Sequence, residues 1–148
     1  MKNCYYFFIY LSILSLISCS KESDIQIIER KIIGTWNWTE SNGGFSGVSH
    51  HTPENTGDEI HFIFNKEKIF NKIMNQQTIL TPNYSISRGK SILFGNEYDF
   101  LIINYRYDLP DTIMYQKMRY IILKIDDELI LEEDVFDGYT HRFEKIKN

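Results

Sequence analysis

Alanine is missing altogether from these 148 residues, while isoleucine occurs 23 times. A helix bundle built without the best helix former is unfavourable. Isoleucine, tyrosine, phenylalanine, tryptophan and threonine favour strands instead. Positive charge is also in short supply, with 16 Lys and Arg against 20 Asp and Glu, a net charge of −4. That excludes the basic stripe of a dedicated nucleic-acid binder, so no nucleic-acid partner is expected. Hydrophobic residues make up 43% and charged residues 24%, which excludes a disordered chain. No internal repeat, low-complexity tract or βαβ alternation is present, which leaves one small antiparallel β domain.

Cysteine is scarce as well, with two in the chain, Cys4 and Cys19. Both belong to an N-terminal address. Lys2 precedes an uncharged run of apolar residues, 4–17. The run is shorter than the about 17–25 residues of a membrane span and suits the apolar region of a secretory signal. It ends at Leu16-Ile17-Ser18-Cys19, with polar Ser20-Lys21-Glu22-Ser23-Asp24 beyond. This resembles the lipobox of bacterial lipoproteins, in which the signal is cut before a cysteine that becomes acylated. The resemblance implies a signal peptide at 1–18, lipidation at Cys19, and membrane attachment through its acyl chains. The mature chain then has neither free thiol nor disulfide, and packing must hold it together. The acidic stretch after Cys19 weakly resembles one that sends lipoproteins to the cell surface; a plain soluble tether is the other reading.

Residues 19–31 read as a lipidated tether with a short helix, capped by Asp24 and carrying Ile25, Ile28 and Ile32 on one side. The domain proper is 32–148. Strand-like runs are expected at 32–40, 59–64, 68–74, 78–87, 91–94, 98–107, 112–125, 128–133 and 139–146, with a polar loop over 41–57. Their order suits an up-and-down antiparallel barrel. Alternation places Trp36 with Trp38, Phe62 with Ile60 and Phe64, Tyr84 with Ile86, and Tyr139 with Phe143 on shared faces. The sixth run is apolar on both faces, so it is covered twice or touches a partner. The seventh is long enough to bend.

Ile33-Gly34-Thr35-Trp36 opens the first strand, and its G-x-W resembles the first lipocalin signature. In lipocalins that tryptophan plugs the closed barrel end and a late arginine packs over it; Arg142 is the residue here that could do so. The stretch from Trp36 to Ser41, the loop Gly43-Gly44-Phe45-Ser46-Gly47, Thr52-Pro53, Gly57 and the late hairpin 125–131 are together similar to small lipocalin-like lipoproteins of outer-membrane bacteria. The resemblance implies a lipocalin-like barrel facing the periplasm or the cell surface. The middle and final lipocalin signatures are not clearly present.

Searches for chemistry return little. The four histidines, His50, His51, His61 and His141, lack metal-ligand spacing and read as solvated, so no metal is expected. No nucleophile elbow, P-loop or dinucleotide fingerprint occurs, so neither an enzyme nor a cofactor is expected. The acids at 126–128, 132–134 and 137 flank turns and read as solvated hairpin ends rather than a carboxylate pair or a calcium loop. Asp111-Thr112-Ile113 resembles an acceptor for O-glycosylation at Thr112. The candidates for lining a ligand are Trp36, Trp38, Phe62, Phe64, Tyr84 and Phe100, each of which could equally be packed core. The leading expectation is a lipid-anchored barrel holding a small apolar or amphipathic ligand. The alternative is a protein–protein module or inhibitor at the envelope with a filled barrel, pointed to by the tyrosine-rich stretch Tyr98, Tyr105, Tyr107, Tyr115 and Tyr120.

Overall fold

The computed structural model describes residues 23–45, 47–109 and 112–147, and for 107–109 and 112–115 the backbone only. The leader, Cys19, Asp111 and the side chains of Tyr107, Thr112 and Tyr115 lie outside what it describes. The chain runs α1 (Asp24–Ile32), β1 (Gly34–Gly43), β2 (Ser49–His51), α2 (Pro53–Thr56), β3 (Ile60–Phe64), β4 (Phe70–Met74), β5 (Gln77–Leu80), β6 (Asn83–Lys90), β7 (Glu97–Leu109), β8 (Thr112–Ile125), β9 (Glu128–Glu133) and β10 (Tyr139–Lys145). All the strands join one antiparallel sheet in the order β5-β4-β3-β1-β10-β9-β8-β7-β6, with β2 beside the end of β1. The sheet curls into a half-barrel, as the alternating sequence requires. Its two edges meet at one point. Phe70 N–H donates to Pro82 O at 2.9 Å and Tyr84 N–H to Lys68 O at 2.8 Å.

The inward faces are those expected from alternation. Trp36, Trp38, Phe62, Phe64, Phe70, Tyr84, Leu129, Leu131 and Phe143 are buried in one cluster. Helix α1 covers one end of it with Ile25, Ile28 and Ile32. Trp36 Nε1–H donates to the Ile32 carbonyl at 2.8 Å, tying the helix to the first strand. The ring of Phe62 lies 4.4 Å from that of Phe143 and 4.8 Å from that of Phe70, so the interior between the two ends is packed with aromatic side chains.

Several expectations are corrected. Ser23, not Asp24, caps α1, in a reciprocal pair with Gln26. The loop at 41–57 contains β2 and α2. The run at 78–87 is two strands, because Pro82 has no N–H to carry a ladder through. The run at 91–94 is a turn: the Ser91 hydroxyl accepts from the N–H groups of Leu93 and Phe94. The long run carries a shift of register against β9 between Ile122 and Lys124.

Candidate functional site

Away from α1 the interior changes character. Strand β1 carries Trp38 inward, and a shift in its register with β10 between Trp38 and Glu40 brings Ser41 opposite His141. On β9 the inward series Leu129, Leu131 continues to Glu133. On β4 Lys72 stands directly opposite Phe62, on the same face of the sheet. On β8 Tyr120 pairs with Glu133. Five polar side chains from five strands therefore converge on the end of the interior farthest from the helix, above a floor of Trp38, Phe62 and Phe143.

Three of these groups, Ser41, His141 and Glu133, form a directed chain that starts from Trp38. Trp38 Nε1–H donates to Ser41 Oγ at 2.8 Å. Ser41 Oγ is 2.7 Å from His141 Nδ1, and His141 Nε2 is 3.3 Å from Glu133 Oε1. The other Glu133 oxygen accepts from Tyr139 N–H at 3.0 Å. An ionised carboxylate only accepts, so Nε2 carries the hydrogen, and in the neutral ring Nδ1 accepts from the Ser41 hydroxyl. The His141 hydrogen bond holds the Glu133 carboxyl below its ordinary range; partial burial opposes this and the Tyr139 N–H assists it. Burial pushes the Tyr120 phenol far up and the Lys72 ammonium down.

A cleft of about 420 Å³ opens beside this end, where β9 stops and β8 runs on without it. Met118, Tyr120 and Glu133 wall it on one side, and Ile92, Arg119 and Val135 on the other. The cleft and the polar end of the interior share Tyr120 and Glu133.

Five of the six sequence candidates, Trp36, Trp38, Phe62, Phe64 and Tyr84, come together in the interior. Phe100 does not. It alternates with Leu101 and Ile103, which are in the core, and is buried on the opposite face under the Arg119 guanidinium, 3.6 Å from its ring centre. The sixth run is thus covered on both sides at Phe100 and Leu101, while Asn104 and Arg106 further along its outer face are exposed. Arg142 does not pack over Trp36 either. It is exposed and paired with Glu40 at 2.8 Å, and Lys145 takes the place instead, 4.8 Å above the Trp36 ring. The register explains the exchange: Lys145 is the direct partner of Trp36 on β10.

Two readings of polar residues are also corrected. Asp134 is no solvated turn acid. It is 1% exposed, accepts from Ser91 Oγ at 2.7 Å and from Ile92 N–H, and pairs with Arg119 at 3.0 Å. The histidines are not simply solvated: His50, His61 and His141 each lie beside a carboxylate, and His141 points inward. Among the described residues no three His, Cys, Asp or Glu side chains converge as a metal site would require. Lys72 and Ser41 escaped notice, and Glu133 and His141 were read as solvated, because each is polar; yet Lys72, Glu133 and His141 each sit two residues from an inward apolar side chain, and Ser41 stands opposite His141.

No known protein family matches the chain, and no curated protein or solved structure does.

Proposed function

We propose that this protein is a binding module whose half-barrel holds a small amphipathic molecule at the end away from α1. The observation that carries the reading is the change of lining along one interior. Aromatic side chains fill the helix end, and Ser41, Lys72, Tyr120, Glu133 and His141 face inward at the other. Binding sites of this kind are mostly apolar walls with a few placed polar groups. Trp38 and Phe62 are the boundary residues that a ligand would touch; Trp36, Phe64 and Tyr84 lie deeper and serve as core. Native mass spectrometry of protein purified gently from its own host tests this. A reproducible extra mass that leaves on denaturation supports it, and a bare protein mass counts against it.

The address completes the proposal. Lipidation at Cys19 would attach the domain to the outer membrane, facing the periplasm or the cell surface, and no catalytic role is assigned. Among the described residues no helix is long and apolar enough to cross a membrane.

One observation favours the second reading, a module for protein partners. Beyond Asn104 and Tyr120 the β7–β8 pair continues for several residues with neither β6 nor β9 beside it. Such open edges can accept a further strand. Crosslinking in intact cells followed by identification of a stoichiometric partner would support that reading over cargo binding.

A further inference from the structure

The hydrogen-bonding ledger of the polar end is unbalanced. Both Glu133 oxygens are taken, one by His141 Nε2 and one by Tyr139 N–H. Ser41 Oγ is engaged by Trp38 and His141. Each of these acceptors therefore already has a donor. The donors are not matched in the same way. Lys72 faces the interior opposite Phe62, and among the described residues it makes neither an ion pair nor a hydrogen bond. Asp58 and Glu133 act on it only from a distance. The Tyr120 hydroxyl is buried, and its partner is the Met118 sulfur at 3.8 Å, a weak acceptor. An ammonium drawn from water toward an aromatic wall without an acceptor is costly, and a bound anion would relieve that cost.

We infer that the polar end selects a ligand with an oxyanion head, a carboxylate above all, and that Lys72 is its charge anchor with Tyr120 as the second donor. The apolar body of the ligand then lies toward Trp38, Phe62 and Phe143. An amine head would meet the Lys72 ammonium as a like charge, and an alcohol gains no charge. This assignment rests on the binding reading given above and adds the chemical class of the ligand to it.

Three probes with one chain and three heads separate the possibilities: octanoate, 1-octanol and octylamine. Each is titrated calorimetrically against the protein as its host matures it, held in lipid nanodiscs, with empty nanodiscs as the blank. Octanoate should bind about tenfold more tightly than octanol, with octylamine weakest. Lys72→Met should bring octanoate down to the affinity of octanol, with circular dichroism and thermal unfolding showing that the variant is folded. Lys72→Arg should keep part of the preference. Equal binding of acid and alcohol, or a preference that survives Lys72→Met, overturns the anchor and leaves the binding module standing. Failure of all three probes to bind overturns both.

Discussion

Single side chains at the two ends of the interior have opposite relations to acid and alkali. Glu133 is held below its ordinary pKa, so the stability it contributes is complete above about pH 4.5 and is lost as pH falls through the lowered value. The urea midpoint should therefore drop between pH 5 and pH 3 less steeply in Glu133→Gln than in the natural protein. Tyr84 behaves the other way. Burial first, then the Glu29 and Glu67 charges, push its phenol up to about 12. Its neutral form is favoured in the fold, so that contribution is complete below pH 10 and is lost as pH rises toward 12. Ultraviolet titration should show a tyrosine ionising near the top of this range, absent in Tyr84→Phe. That variant also loses the bond to Asn65 O at 2.9 Å, a cost of about 1 kcal/mol.

At the scale of elements, Asp134 is the tie between the β6–β7 turn and the end of β9. It receives the Ser91 hydroxyl and the Ile92 amide while paired to Arg119, which in turn covers Phe100 and donates to the Lys90 carbonyl at 2.7 Å. Asp134→Ala leaves the guanidinium and the turn amides without their acceptor, and should cost about 3 kcal/mol. Hydrogen exchange checks it: the amides of Ile92 and Leu93 should lose protection. The loop over the polar end has a tie of its own. Gly43 has φ +147°, and a Cβ there would fall 2.2 Å from the Gly138 carbonyl. Gly43→Ala should part the 44–48 loop from the 134–138 loop, seen as weakened pairing of Gly43 with Tyr139 by nuclear magnetic resonance. The strands themselves were legible in the sequence because alternation writes one face of each plainly. The buried Asp134 was not, since its burial depends on a turn more than forty residues earlier coming to lie on it. Phe100 was read as buried but on the wrong side, because a strand apolar on both faces does not say which face is inside. Lys145 over Trp36 was hidden by a register that only the folded pairing fixes.

For the molecule as a whole, the weak line is the meeting of the two sheet edges, where the start of β4 and β6 touch through the two backbone hydrogen bonds of the single bridge Ile69–Asn83. Strand β5 has β4 alone as its neighbour. Hydrogen exchange should be fastest along β5 and slowest in β1, β9 and β10, which have partners on both sides. Membrane attachment is a separate matter from this stability. Cys19→Ser should abolish lipid labelling and membrane partitioning with little change in thermal unfolding of the domain.

The helix end and the polar end lie at opposite poles of the half-barrel, and this sets a direction of traffic. Three residues lie between Cys19 and the Ser23 cap, and the four steps of chain reach about 14 Å when fully extended. An acyl anchor at Cys19 would thus press the helix pole toward the bilayer and turn the polar pole outward. A cargo would then be handed over by collision with something arriving from the water, and its exchange rate would rise with the concentration of that carrier. Lateral passage along the lipid surface would contribute little, since the opening faces away from it.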